Sequence, residues 1–364
     1  MKSLYVHIPF CDHICTYCDF CKVFYKKEWA DLYLEALSFE IKDKNIKDDY
    51  DTIYIGGGTP SSLSYQQLQS LFELLKPLTN HIIEYSIEVN PESLDDQKIQ
   101  LMKDYRINRV SIGIQTFDDS LLKSLNRKHT GYKAIQCIQK LQSIGIDDIN
   151  VDLMYGLPQQ KLEDVYADIQ QIAKMNISHV SVYSLILEDH TVLKNDGYIP
   201  LDDEQDAYWY ESINRYLEKY QYKHYEVSNY YKKKPSLHNL VYWHYQDYDG
   251  IGLSAHSLKN HHRLENTRSL TQYLRHDYLD EDIYLEESDE IFEKIMMGLR
   301  LTEGICMNDF SFDFYLKYKE VINKYIKLNM LEMDGCYLKT TALGMNYLNT
   351  ILIDFLDDDF KNWS

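Results

Sequence analysis

Positive charge is scarce in this sequence: 38 Lys and Arg stand against 57 Asp and Glu, a formal charge of -19. Such a field repels phosphate backbones, which disfavours DNA and RNA as substrates. A long apolar run is also missing near the start. Leu4-Tyr5-Val6-His7-Ile8 is too short and too quickly followed by polar residues to be a signal peptide or a spanning helix. A cytoplasmic location is the expectation. There is no low-complexity tail, and 364 residues exceed the usual single-domain size, so a large domain with a smaller one is expected.

Cysteine is sparse and unevenly spread. Of seven, four crowd between Cys11 and Cys21, while Cys137, Cys306 and Cys336 are scattered. In a long chain such crowding points to a metal centre, not to disulfides. Cys11, Cys15 and Cys18 have the C-x-x-x-C-x-x-C spacing on a loop directly after the first apolar run. Cubane iron-sulfur clusters are usually held by four thiolates, so a set of three leaves one iron open to an outside ligand. The alternative is a zinc knuckle completed by His7 or His13, because zinc takes thiolate and imidazole in one tetrahedral set. Cys21 adds a C-x-x-C pair with Cys18. Its two readings are a ligand closing the cluster's fourth site and a spare thiol, and the spare thiol is favoured, since adjacent loop geometry seldom brings four thiols to one cubane.

Short β-branched runs alternate with longer stretches of helical period. Leu4 to Ile8, Thr52 to Ile55, Glu84 to Val89, Arg109 to Ile114, Asp148 to Met154 and His179 to Leu185 read as strands. Between them, Trp29 to Lys44, Tyr65 to Leu78, Asp96 to Tyr105, Ser120 to Leu125 with Tyr132 to Ile144, and Leu162 to Met175 read as helices. Each crossover is long enough for a parallel neighbour. The pattern suits an open doubly wound sheet or a barrel. The polar residues favour the barrel: Gly56 to Pro60, Glu88 to Pro91, Gln115 and Asp152 to Tyr155 fall at the C-terminal ends of their strands, which a parallel barrel gathers at one mouth. The expected class is α/β, an incomplete (β/α)6 barrel. Beyond Leu185 the alternation fades into a substrate-side extension, with a helix near Glu204 to Tyr220, a strand near His224 to Ser228 and a loop-rich region through His262. A division into 1-285 and 286-364 is expected, the second part a small winged-helix-like module. The alternative is that these last segments merely pack on the barrel.

Three consecutive glycines, Gly56 to Gly58, remove the Cβ atoms that keep a ligand from main chain, and they permit positive φ. Followed by Thr59-Pro60, they read as a ligand loop more than as a turn needing one glycine. Asp152 puts a carboxylate into the apolar run Ile149 to Met154, where it needs a partner. The bland partner is Arg127.

Tyr5-Val6-His7-Ile8-Pro9-Phe10-Cys11, the three-cysteine loop and Gly56-Gly57-Gly58-Thr59-Pro60 together resemble the oxygen-independent coproporphyrinogen III oxidase family of radical S-adenosylmethionine (SAM) proteins. The likeness continues through Glu88-Val89-Asn90-Pro91, Gly113-Ile114-Gln115-Thr116-Phe117, Asn126-Arg127 and Asp152-Leu153-Met154-Tyr155-Gly156-Leu157-Pro158, covering nearly the whole barrel region. Met297-Gly298-Leu299-Arg300-Leu301 and the C-terminal module look like that family as well. In the oxidase branch an extension precedes the first strand and a fourth cysteine lies two residues after the third. Asp19-Phe20 stand here instead, with Cys21 one place later. His238-Asn239-Leu240-Val241-Tyr242-Trp243 looks like the H-N-x-x-Y-W motif of the HemW-type haem chaperone branch, which is the better match. That branch commonly has Asn at position 21, so Cys21 is a departure.

The resemblance implies a 4Fe-4S cluster on Cys11, Cys15 and Cys18, SAM on its open iron, and haem as cargo for client haemoproteins. The alternative within the family is decarboxylation of porphyrinogen propionates by a 5'-deoxyadenosyl radical, fed by an electron donor such as flavodoxin or ferredoxin. Gly57, Gly58 and Thr59 would meet the methionine amino group. Gln115, Arg127 and Asp152, joined by Glu88, would surround the ribose and methionine carboxylate, with Tyr5, Tyr17 and Ser184 near SAM. His238 becomes the candidate haem ligand, because neutral imidazole is a common axial ligand. Asn239 belongs to the same set, and Tyr242 and Trp243 would supply flat apolar surface. The bland alternative makes Tyr242 and Trp243 core, and His238 and Asn239 turn formers. Lys232-Lys233-Lys234 reads as a solvated loop, and His244, His256, His261 and His262 as reserve ligands.

Overall fold

The computed structural model describes residues 1–47, 49–189 and 191–356. Six parallel strands lie side by side in chain order: β1 (Ser3–Ile8), β2 (Thr52–Gly57), β3 (Glu84–Val89), β4 (Arg109–Gln115), β5 (Asp148–Tyr155) and β6 (His179–Ser184). They are the six that the β-branched runs predict. Val6, Ile55, Ile87, Ile112, Val151 and Val180 are fully buried, as strands covered on both faces must be. The crossovers α1 (Lys27–Asp43), α2 (Tyr65–Leu75), α3 (Asp96–Asp104), α4 (Gly131–Ser143) and α5 (Leu162–Lys174) supply helices packed on the sheet. Ser64, Asp95 and Thr130 start three of these by accepting backbone N–H bonds, which fixes where each loop ends.

One cavity of about 500 Å³ is lined from β1 by Tyr5, from β2 by Tyr54, from β3 by Glu88, from β4 by Ser111, from β5 by Asp152 and from β6 by Ser181. A sheet whose six strands all face one cavity curls around it, while β1 and β6 do not pair. The result is the incomplete barrel.

The extension differs from the loop-rich region that the fading periodicity suggests. After α6 (Asp203–Lys219), β7 (Lys223–Glu226) and β8 (Asn229–Tyr231) continue the sheet antiparallel beyond β6. Beyond α7 (Leu237–Trp243), β9 (Asp249–Ile251) pairs parallel with β1, Leu4 opposite Asp249 and Val6 opposite Ile251. The sheet therefore has nine strands in the order β9-β1-β2-β3-β4-β5-β6-β8-β7. A separate antiparallel sheet follows, formed by β10 (His256–Lys259), β11 (His262–Asn266) and β12 (Leu279–Tyr284).

The last segment builds its own core. α8 (Glu287–Gly298) and α9 (Phe314–Lys327) pack with a small antiparallel sheet of β13 (Ile305–Cys306), β14 (Leu331–Asp334) and β15 (Tyr337–Thr340), closed by α10 (Ala342–Asn346) and α11 (Leu348–Asp354). Ile295, Leu299, Phe314, Ile322, Leu338 and Ile351 form a cluster apart from that of the barrel. This unit of helices on a small antiparallel sheet stands where the winged-helix-like module is expected.

Candidate functional site

The cysteine loop is pinned at its base. Phe10 and Cys11 pair with Val23 and Phe24, so residues 12–22 form a closed excursion after β1. Cys11, Cys15 and Cys18 open onto the cavity together. Cys21 is absent from the cavity lining; its Sγ faces the Arg268 carbonyl at 3.9 Å. Cys11 Sγ lies 3.5 Å from Thr59 Oγ1, tying this loop to the glycine loop, and burial pushes the Cys11 thiol up to about 11. Burial also raises Cys18.

The donor set is compatible with a cubane: three thiols from one loop line a single cavity, and soft thiolates are the usual ligands of iron-sulfur clusters. His7 is engaged elsewhere: its Nε2 lies 3.0 Å from the Cys21 carbonyl and its Nδ1 3.0 Å from Tyr5 Oη. A carbonyl only accepts, so Nε2 carries the proton and Tyr5 donates to Nδ1. Burial drives the His7 pKa down to about 4.

The glycines have a reason that lies in the protein itself. A Cβ on Gly57, whose φ is +119°, would sit 2.8 Å from the His7 ring, and one on Gly58 would sit 2.7 Å from the Pro9 carbonyl oxygen. A Cβ on Gly56 would meet the Tyr54 ring at 2.9 Å. Packing therefore demands Gly57 and Gly58, while a side chain at Gly56 would displace Tyr54 and Glu88; Gly57, Gly58 and Thr59 also line the cavity. Glu88 reads the same loop: its Oε2 accepts from Gly57 N at 3.1 Å and its Oε1 from Tyr54 Oη at 2.8 Å. Burial outweighs both bonds and raises its pKa to about 7.

Arg127 and Asp152 both line the cavity, but they are not the buried pair of the bland reading. Arg127 donates through Nη2 to Asn90 Oδ1 at 2.8 Å and to the Gly113 carbonyl at 2.5 Å, pairs with Glu92 at 3.6 Å, and sets Nη1 3.5 Å from Cys15 Sγ. Its Nε is buried with no protein partner. Asp152 is satisfied by neutral donors instead, Asn150 Nδ2 at 2.7 Å and Ser111 Oγ at 3.3 Å, and burial raises its pKa. Gln115 turns the chain at the end of β4 with φ of 71°, where the register with β5 shifts. Tyr5, Tyr17, Gln115 and Ser184 line the same cavity, and Ser184 Oγ donates to Asp206 Oδ1 at 2.5 Å.

These residues fit the amino-acid end of a SAM-like molecule. An orphaned guanidinium N–H beside a thiol suits a carboxylate, and a buried acid beside exposed main chain suits an ammonium group. A cavity of about 500 Å³ is within the range of small-molecule cofactor sites.

The H-N-x-x-Y-W segment has a different place. It is α7, and its N-terminus is anchored on Glu84, whose carboxylate accepts from Ser236 Oγ at 3.0 Å, Leu237 N at 2.9 Å and His238 N at 3.0 Å. His238 is buried with both ring nitrogens in use, Nδ1 at 2.8 Å from Thr52 Oγ1 and Nε2 at 2.8 Å from Tyr242 Oη, and its ring stacks on Tyr54. Thr52 gives its own proton to Ser3, so His238 Nδ1 donates and Tyr242 donates to Nε2. Burial holds the His238 pKa at about 3. Ser3, Thr52 and Glu84 begin β1, β2 and β3, so α7 closes the bottom of the barrel. His238, Asn239 and Tyr242 line the cavity from that floor, whereas Trp243 does not. Three of the four thus share one wall of the cavity, Trp243 lies apart from it, and the His238 Nε2 lone pair accepts from Tyr242.

Reserve ligands also have partners: His244 meets Glu303 at 2.7 Å, His256 meets Glu265 at 3.6 Å, His261 meets Glu290 at 2.9 Å and His262 meets Asp282 at 2.6 Å. Lys234 is anchored on Asp148 at 3.1 Å instead of standing free in a solvated loop. Sequence reasoning missed the lower lining, Arg109 paired with Asp148 at 2.6 Å and His179 held between Asn150 and Tyr225. A signal existed: Asn150 and Asp152 are two apart in an apolar strand and so share its inner face.

The model of the Radical SAM superfamily matches residues 5–172, and that of the HemN C-terminal domain matches residues 285–347. The chain is 37% identical to the heme chaperone HemW of Lactococcus lactis subsp. lactis (strain IL1403), covering 99% of this chain and 98% of that protein. Its identity to the heme chaperone HemW of Bacillus subtilis (strain 168) is 37% over 85% of this chain and 86% of the relative, and to that of Escherichia coli (strain K12) 32% over 97% and 98%. Among solved structures, coproporphyrinogen III oxidase (HemN) from Escherichia coli superposes with a TM-score of 0.81 at 22% identity, covering 98% of this chain and 90% of the oxidase chain. That likeness establishes the shared fold.

Proposed function

We propose that this chain, which belongs to the HemW heme chaperone family, carries haem as cargo and delivers it to client haemoproteins from a radical SAM scaffold. The observation that carries this reading is near full-length similarity to proteins named heme chaperone, joined to a cavity where three thiols, a glycine loop and Arg127 meet. In it Cys11, Cys15 and Cys18 hold a 4Fe-4S cluster. Gly57, Gly58, Thr59 and Glu88 receive the amino group of SAM, Arg127 its carboxylate, and Gln115 and Asp152 its ribose, with Tyr5, Tyr17 and Ser184 alongside. When bound, cluster and SAM together supply one-electron chemistry. Flavodoxin or ferredoxin would serve as electron donor where SAM is consumed.

The protein's own part is positioning. Tyr54 holds Glu88 against the glycine loop, Asn90 links Thr59 to Arg127, and the Cys11–Thr59 contact makes the cysteine and glycine loops one unit. α7 excludes water from below. We assign residues 1-285 to the core with its substrate side and 286-364 to the C-terminal domain. Among the described residues no helix is long and apolar enough to cross a membrane, and we place the protein in the cytoplasm. Haem titration of the anaerobically reconstituted protein, beside an assay with coproporphyrinogen, SAM and reductant, tests the reading. Stoichiometric haem binding without porphyrinogen turnover is expected. Formation of protoporphyrinogen would replace the chaperone by the oxidase.

A further inference from the structure

Cys306 and Cys336 lie away from the cavity and have no part in the function proposed above. β13 runs antiparallel to β15, with Ile305 opposite Leu338 and Cys306 opposite Tyr337. Cys336 sits just before Tyr337, in the turn that joins β14 to β15, where Gly335 takes a φ of 61°. Met307 N donates to the Cys336 carbonyl at 2.8 Å, which sets the two cysteines diagonally across the end of the ladder. Their Sγ atoms are 3.3 Å apart, both thiols are free, and neither is fully buried.

We propose that Cys306 and Cys336 are a redox-modifiable pair that closes to a reversible disulfide. A sulfur–sulfur bond is about 2.05 Å, so the contact has to shorten by little more than about 1 Å, within reach of side-chain torsions. The co-reactant is a low-molecular-weight disulfide. One cysteine gives up its proton and its thiolate attacks that disulfide, forming a mixed disulfide and releasing one small thiolate. The second cysteine, also deprotonated, attacks the protein sulfur of the mixed disulfide and releases the other. Two protons and two electrons leave the protein, and the small disulfide is reduced to two thiols. In a reducing compartment such a bond is transient, as a sensing bond must be.

The placement gives the bond a mechanical meaning. β13 follows Leu301 and Thr302, by which the C-terminal segment grips the barrel: Leu301 bridges Glu226, and Thr302 N donates to the Tyr225 carbonyl at 3.0 Å. A 306–336 bond staples the hairpin to that connecting segment and encloses α9. To test it, the reconstituted full-length protein is exposed anaerobically to oxidised glutathione and peptide-mapped without reduction. The expected product is a linked peptide pair lighter by two hydrogens, with the C-terminal segment's melting transition raised by several degrees. Dithiothreitol reverses both, and Cys306→Ser shows neither while carrying glutathione on Cys336. Glutathione attached separately to both cysteines of the wild type, or two thiols that stay free, would overturn the proposal.

Discussion

Glu88 is a buried carboxyl at the centre of the site whose environment holds it away from its ordinary titration range. Its folded-state pKa of about 7 lies above the ordinary 4.5, so the native state holds a proton that the unfolded chain releases. Stability from this group is present below pH 4.5 and is lost as pH rises through about 7. Glu88→Gln mimics the protonated form. Relative to wild type, the ligand-free variant should gain about 3 kcal/mol between those limits and then level off, read by urea unfolding at a series of pH values. His7 and His238, whose pKa values are depressed, titrate in both proteins and cancel in the difference. The thiols give a second test at this scale. Alanine at Cys11, Cys15 or Cys18 should abolish iron and sulfide incorporation, whereas Cys21→Ser should keep both, because Cys21 faces the Arg268 carbonyl. The cysteine set and the cavity-lining Gly57, Gly58, Gln115, Arg127 and Asp152 were legible because spacing and family likeness mark them. Their partners were not: nothing in a linear pattern says that Asp152 turns to Asn150 and Ser111 while Arg127 turns to Asn90.

At the scale of elements, α7 is the unexpected piece. It is seven residues long, too short for periodicity to announce, and its anchor Glu84 begins a strand 152 residues before Ser236. The six barrel strands, by contrast, are long β-branched runs that burial on both faces demands, and each was legible to within a residue or two. β9 escaped notice because Asp249-Gly250-Ile251 is too brief to show alternation. Two substitutions separate floor from ligand. His238→Ala leaves Thr52 and Tyr242 without their partner and should cost about 2–4 kcal/mol in chemical denaturation while haem stoichiometry holds. Glu84→Ala strips three donors of their acceptor and should cost at least about 3 kcal/mol, with limited proteolysis appearing between residues 230 and 250. A loss of haem binding in His238→Ala with stability unchanged would instead make that imidazole a ligand.

Among the described residues the barrel and the C-terminal segment have separate hydrophobic cores, with a third, smaller cluster around Leu125 and Leu157, and Val227 together with polar contacts such as Tyr245 and Arg263 on Glu293 joins the two segments. Calorimetry should therefore show a van't Hoff enthalpy below the calorimetric one, since two cores need not melt together. A coincident single transition would mean that the short grip at Leu301 and Thr302 couples them fully. The pairing of β9 with β1 bears on how the protein is made. Val6 leaves the ribosome long before its neighbour Ile251, and at elongation rates of about 5–20 residues per second that interval is roughly 10 to 50 s. Throughout it the outer border of the nascent sheet has no mate and offers a template for another polypeptide. Newly made copies should thus be most prone to aggregate during translation, and slowing codons before position 249 should worsen the yield of native protein.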